Sequence, residues 1–353
     1  MLRIIGLMSG TSLDGVDAAL LETDGVGLVR PGPALTHPFP PGLRDAIRAL
    51  LDRAPTLAAD DRDLLETERA LTIHHADAIR MLDEAADMIG FHGQTILHRP
   101  DEKRTWQIGD AALLARSTGL PVAHDFRSAD VAAGGQGAPF VPVYHAALAS
   151  NLPKPLAVLN IGGVANVTFI SADGALLAWD TGPGNALLDD FCARHIGEPI
   201  DRDGRLAAAG TACEATLAAL LAHPFFAKPP PKSLDRQAFS DALQTVDTLT
   251  IADAAATLAR FTARAALATP WPAPPTRILV TGGGRHNPVI MKALRGEAPC
   301  PVDPVEAVGW DGDALEAQCF AFLAARVASG RPLSYPGTTG VAHPTPGGRI
   351  ANP

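Results

Sequence analysis

Four cysteines are all the chain has, Cys192, Cys213, Cys300 and Cys319, and no two form a C-x-x-C pair. That scatter points to neither a zinc site nor a disulfide framework, and the cytoplasm is the expected compartment. No run of Lys and Arg offsets a formal charge of -9. A phosphate backbone or an anionic membrane surface would find nothing to neutralise it, so no nucleic acid and no membrane is expected as a partner, and any bound phosphate must be held locally. No apolar run approaches the roughly 18 residues of a membrane span. Leu2 to Ile5 read as a strand where a secretory leader would be basic, then apolar, so a soluble, untargeted protein is expected.

What is present is a chain of 353 residues, long enough that two domains are the better expectation, with an apolar fraction of 47% typical of a globular protein. Near its start stands "GLMSGTSLDGVD", flanked by the strand-like stretches Leu2 to Ile5 and Val16 to Leu21. A decorative hairpin turns on two residues. This tip is longer, and Gly10, Thr11 and Ser12 suit a cradle of backbone N–H and hydroxyl donors around phosphate oxygens. A second strand, glycine tip and strand, "LAVLNIGGVANVTFIS", offers Gly162 and Gly163 with Asn160 and Asn166 at the margins. Two copies of one plan, each opening a region of alternating strands and helices, predict two similar lobes with a cleft, where the tips grip neighbouring phosphates of one nucleotide. Neither tip matches G-x-G-x-x-G or the P-loop.

Other groups carry two readings each. Gly282, Gly283 and Gly284 in "VTGGGRHN" join a strand to a helix, either as bare backbone against a ribose or base or as a tight turn needing positive φ. Asp180 in "WDTGPGN" is either a helix cap or a base at a strand end. His92 in "GFHGQT" lines a polar pocket or is a satisfied hydrogen-bonder, and His74 and His75 read as surface or packing residues of a helix. Arg127 precedes a glycine-rich loop, where its fork would clamp a carboxylate. Glu316 lies in the first turns of a helix, where acids are common for dipole reasons. Helices are predicted around 185–195, 206–222 and 251–268, "KPPPKSLDRQ" reads as a surface loop, and the tail "PGTTGVAHPTPGG" reads as irregular chain.

The stretches "GLMSGTSLDGVD", "GFHGQT", "DFRSADVAAGGQGAP", "LNIGGVANVT", "DTGPGN", "TGGG" and "EAQCFAFLA", in this order, resemble the anhydro-N-acetylmuramic acid kinase family of the actin, hexokinase and Hsp70-like ATPase superfamily. The resemblance implies an α/β, two-lobed actin-like ATPase (ribonuclease H-like) fold with a central nucleotide cleft. The expected lobes are 1–130 with the tail from about 335 to 353, and 131–334. It implies ATP and Mg²⁺, and a reaction that hydrolyses the 1,6-anhydro bridge of anhydro-N-acetylmuramic acid while phosphorylating O6, in the recycling of cell-wall sugars. By the same likeness Asp180 is the catalytic base. Gly10, Thr11, Ser12, Leu13, Asp14, Gly15, Val16 and Asp17, with Asn160, Gly162, Gly163, Gly282, Gly283 and Gly284, border ATP. Thr11, His92, Arg127 and Glu316 line the sugar pocket, with Arg127 on the lactyl carboxylate. A homodimer is implied as well. Met8 stands where the wider superfamily carries an aspartate, and no metal ligand is assigned. The rival readings are a sugar or acetate kinase without the hydrolytic step and a non-catalytic actin-like ATP-binding protein.

Overall fold

Ile4, Ile5 and Leu7 are fully buried in β1 (Leu2–Ser9), which turns back as β2 (Gly15–Thr23) in an antiparallel pair running from Leu2↔Thr23 to Met8↔Asp17. β3 (Val29–Pro38) extends the pair antiparallel, while β4 (Met88–Arg99) lies parallel to β1. A parallel neighbour needs a crossover, supplied here by the helices Pro41–Arg53 and Arg62–Leu82. The second of these starts at Asp61, whose carboxylate accepts the Leu64 N–H, and it buries Leu64, Leu71 and Ala78 against the sheet. β5 (Arg104–Ile108) and β6 (Val122–His124) also pair with β4, and the C-terminal strand Arg349–Ala351 closes the edge beside β6.

Opposite, the helix Leu315–Ala328 is apolar on nearly every side and buried from Leu315 through Arg326 except at Glu316, as a helix packed on several faces must be. It lies on β1, β2 and β4. The chain therefore divides into Met1–Asn151 with Ala314–Pro353 as one unit and Leu152–Asp313 as the other. These limits differ from the expected 130/131 and 334/335, because that helix packs on the first sheet and the helix Val141–Leu148 packs in turn on that helix. The computed structural model describes residues 1–10, 12–230, 232–234, 239, 241–268 and 271–353.

The second unit has its own mixed sheet. β7 (Leu156–Ile161), β8 (Val164–Ile170) and β9 (Leu176–Pro183) form an antiparallel meander, and β10 (Arg277–Thr281) and β11 (Val302–Pro304) continue it in parallel, in the order β11, β10, β7, β8, β9. Leu159, Ile161, Val167, Trp179 and Val280 face a core closed by the alanine-rich helix Ile251–Ala268. Both units are thus α/β, as expected.

Two local expectations fail. The predicted helix 206–222 is split into Arg205–Ala208 and Glu214–Leu221, because the chain must pass Gly210 within reach of the Ala252 carbonyl, where a Cβ would stand 2.0 Å away. The tail is not irregular: Pro336–Thr339 makes a helical turn, Thr345–Pro346 pairs with Pro332–Ser334, and Arg349–Ala351 pairs with β6. Sheet-edge hydrogen bonds order it, and these need no side-chain period. Of the predicted surface loop "KPPPKSLDRQ", Pro231 and 235–237 lie outside the described residues, and Lys232–Leu234 form neither helix nor strand. Among the described residues, no helix is long and apolar enough to cross a membrane.

Candidate active site

In the first unit the β1–β2 tip is anchored from below. Ser9 Oγ donates to the Gly93 carbonyl at 3.2 Å, Gln94 Nε2 to the Gly10 carbonyl at 3.3 Å, and the Phe39 N–H to the Asp14 carbonyl at 3.0 Å. Leu13 and Val16 bury their side chains in the core, and a Cβ on Gly15 would stand 2.5 Å from the His37 carbonyl oxygen, so these three have only backbone to offer a ligand. Ser12 Oγ donates to Asp14 Oδ1 at 2.9 Å, and Asp17 accepts from Thr36 Oγ1 at 2.6 Å. A Cβ on Gly10 would meet only Ser12 Oγ, at 3.6 Å. Thr11 lies outside the described residues.

Beside the tip, His92, Arg127 and Glu316 come together. His92 Nδ1 bonds to the Gly93 carbonyl at 2.7 Å, so that nitrogen carries the proton and Nε2 is left to accept. Arg127 Nε donates to Nε2 at 3.0 Å, and its Nη1 donates to the Gly137 carbonyl at 2.7 Å. Burial, and then the Arg127 charge, push the His92 pKa well below the ordinary histidine value, so the ring is neutral throughout the physiological range. Burial also brings Arg127 down to about 10, still cationic at neutral pH, with the Glu316 charge opposing that shift most. Burial, then Asp17, raise the Glu316 carboxyl, and Arg127 draws it back. Glu316 nonetheless keeps exposed surface, and water reaching it limits that rise.

Asp130 was not singled out from the sequence. It is buried, accepts the Gly137 N–H at 2.6 Å and the Thr339 hydroxyl at 2.6 Å, and so fixes the glycine-rich loop whose carbonyl holds Arg127. The only sequence signal was an acid placed inside an otherwise small, apolar run, "SADVAAGGQG".

The second unit sets its polar groups in a row. Register pairs Thr281 with Asn160, Asn160 with Asn166, and Asn166 with Asp180, so four side chains from β10, β7, β8 and β9 share one face of the sheet. One residue further, the β7–β8 tip is Gly162 and Gly163. Neither has positive φ, although two-residue hairpins ordinarily demand it. A Cβ on Gly162 would meet nothing nearer than 3.6 Å, and on Gly163 nothing nearer than 3.7 Å. The fold itself therefore gives no reason for glycine at either place, and a ligand approaching the backbone does.

Gly282 and Gly284 differ. Gly282 has φ 76°, and a Cβ there would stand 2.3 Å from Asn160 Oδ1, while one on Gly284 would stand 2.3 Å from the Ile161 side chain. The turn reading explains both, and at Gly283 a Cβ would stand 3.3 Å from Asn185 Nδ2, tight but against a side chain. A short 3₁₀ turn, Gly283–His286, intervenes before the helix Pro288–Glu297, whose first amides are capped by Asn287 Oδ1. The first amides of that helix are thus already taken and unavailable to an anion.

Asp180 is not a cap. The helix Ala186–Ile196 begins at Asn185 without a side-chain cap, and the Asp180 carboxylate accepts the Leu234 N–H at 2.7 Å instead. Burial raises its pKa from 3.8 to about 6, against the pull of the Leu234 amide and the Lys232 charge. That is the range of a general base working near neutrality.

A sequence model of the anhydro-N-acetylmuramic acid kinase family matches residues 2–352. The chain belongs to the anhydro-N-acetylmuramic acid kinase family. It is 60% identical to the anhydro-N-acetylmuramic acid kinase of Acidiphilium cryptum (strain JF-5), over 100% of this chain and 99% of that one. The family member of Gluconobacter oxydans (strain 621H) is 55% identical, over 99% of each chain, and that of Paramagnetospirillum magneticum (strain ATCC 700264 / AMB-1) is 56% identical, over 98% of each. Among solved structures, a ROK family glucokinase from Streptomyces griseus in complex with glucose and AMPPNP is similar over 91% of this chain and 97% of that one, at a TM-score of 0.37 and 13% identity, a likeness too loose to carry argument. As a member of the anhydro-N-acetylmuramic acid kinase family, the protein is a phosphotransferase.

Proposed function

We propose that the protein uses ATP and water to convert anhydro-N-acetylmuramic acid into N-acetylmuramic acid 6-phosphate, as a step in the recycling of cell-wall sugars. Asp180 takes a proton from the water that attacks the anomeric carbon. The C1–O6 bond breaks, and O6 attacks the γ-phosphorus as the bond to ADP breaks. The oxygen leaving one bond thus becomes the nucleophile for the next, so charge that builds on O6 is consumed as it forms. The balance is one anhydro-sugar, one ATP and one water giving one sugar 6-phosphate, one ADP and one proton.

The observation that carries this reading is Asp180 itself, a strand-borne carboxylate excluded from capping and raised to about 6 by burial. The bare glycines of the β7–β8 tip and Gly10 leave the close approach that phosphate oxygens need. Arg127 is assigned to the lactyl carboxylate, with the neutral His92 and Glu316 lining the sugar pocket and the Gly10–Asp17 tip bordering the phosphates. Mg²⁺ accompanying ATP offsets the charge on its phosphates; it favours oxygen donors and retains water, so the carboxylates of Asp14 and Asp17 suit it. The protein acts in the cytoplasm, as a homodimer.

The test is the mass of the product formed from protein, ATP, Mg²⁺ and anhydro-N-acetylmuramic acid. A gain of one phosphoryl group and one water supports the reading. A gain of the phosphoryl group alone establishes the simple kinase instead, and no product with ATP bound favours the non-catalytic alternative.

A further inference from the structure

Away from these groups, His37 at the end of β3 and His74 and Asp77 on the helix Arg62–Leu82 bring one ligand atom each to within 4.8 Å of one another, the only such cluster among the described residues. We propose that His37, His74 and Asp77 bind a transition-metal dication of the Zn²⁺ class. His74 and Asp77 are three apart, hence neighbours on one helix face. The two imidazoles are stacked, with centroids 3.9 Å apart and planes 16° apart. His74 Nε2 bonds to the His37 carbonyl at 3.3 Å, which leaves Nδ1 unprotonated. A second ring nitrogen bonded to a carbonyl is the usual way a metal-binding histidine is oriented.

A tetrahedral site with bonds of about 2.0–2.2 Å sets its donors about 3.4 Å apart, so to complete it the half-exposed His37 ring must turn out of the stack and aim its nitrogen at the ion beside His74 and Asp77. Asp77 must exchange its exposed partner Arg80 for the ion, and such solvated surface pairs are weak. Two imidazoles and one carboxylate select Zn²⁺, Co²⁺, Ni²⁺ or Cu²⁺ over Mg²⁺, which prefers oxygen alone. The site is therefore separate from any Mg²⁺ that arrives with ATP. It also adjoins the phosphate-bordering tip: His37 is the register partner of Val16, and Phe39 N–H holds the Asp14 carbonyl. An ion here ties the helix to the base of that hairpin.

Cobalt(II) titrated into the full-length, chelator-stripped protein, with Mg²⁺ present, tests this. The expected result is one equivalent bound, with visible d–d absorption of a four-coordinate ion, displaced by Zn²⁺ and accompanied by a rise in Tm. The half-exposed His37→Gln and Asp77→Asn variants, each checked for native circular dichroism, should bind at least tenfold more weakly. Absorption that never appears in the wild type, or that survives unchanged in both variants, overturns the proposal. Because the readout is optical and needs no ATP or sugar, it stands or falls apart from the proposed reaction.

Discussion

Gly6 and Gly90 are register partners in the parallel pair β1 and β4, and neither leaves room for a side chain. A Cβ on Gly6 would stand 1.8 Å from the Ala317 carbonyl oxygen, and one on Gly90 would stand 2.1 Å from that of Phe320. Backbone meets backbone at both points, so no rotamer change relieves the clash. The helix Leu315–Ala328 is thereby pressed onto the strands that deliver His92, and its Phe320 ring lies 4.5 Å from the His92 ring. Gly90→Ala is expected to cost about 1–3 kcal/mol or more, read as a fall in the urea midpoint at unchanged slope. A midpoint equal to the wild type would contradict this packing.

The glycines of the second unit separate into two kinds that the same substitution distinguishes. Alanine at Gly162 or Gly163 meets only ordinary van der Waals contact and ordinary φ, so stability should stay within about 0.5 kcal/mol while ATP binding weakens about tenfold or more. Alanine at Gly282 meets Asn160 Oδ1 and a positive φ, so stability itself should fall by at least about 1 kcal/mol. Calorimetric titration with ATP and thermal melts of the three variants decide. Unaltered ATP affinity in both tip variants would remove the tip from the nucleotide site.

Arg127→Lys keeps a positive charge and loses the fork that holds His92 Nε2 and the Gly137 carbonyl together. If that fork also meets the substrate carboxylate, losing a charge-assisted bond of about 1.5–3 kcal/mol raises KM for the sugar about 10–100-fold. KM for ATP should be little affected. An unchanged sugar KM would move the carboxylate site elsewhere.

The raised Asp180 pKa sets a pH limit with a definite sign. As the proposed base, Asp180 must be ionised, so kcat/KM should fall as pH drops through about 6. Stability runs the other way for this group. Between pH 3.8 and about 6 the folded state holds a proton that the unfolded chain releases, so the contribution of protonated Asp180 is complete below 3.8 and is lost as pH rises through 6. Asp180→Asn should therefore flatten that part of the stability profile. An acidic limb near 4 in the rate profile would mean that burial does not tune this carboxyl.

Much of this was legible in the sequence because it is local. Both glycine-tipped hairpins, the strand carrying Asp180, though it runs on to Pro183 instead of ending at the acid, and the helix carrying Glu316 follow from short-range pattern. What stayed hidden depends on contacts distant in the chain. The row Thr281, Asn160, Asn166 and Asp180 exists only once register is set. Asp130 reads as an ordinary helical acid until Thr339, far along the chain, donates to it. The two glycines Gly282 and Gly284 looked available for a ligand because nothing in the sequence shows Ile161 and Asn160 packed against them.

The central claim is that one ionised acid, Asp180, activates the water. The most direct measurement is the turnover of Asp180→Asn alongside its affinity for ATP. The account predicts a loss of about 10²–10⁴-fold in kcat, with ATP bound as tightly as by the wild type. Turnover retained near the wild-type rate, in a variant that folds and binds ATP normally, would contradict it.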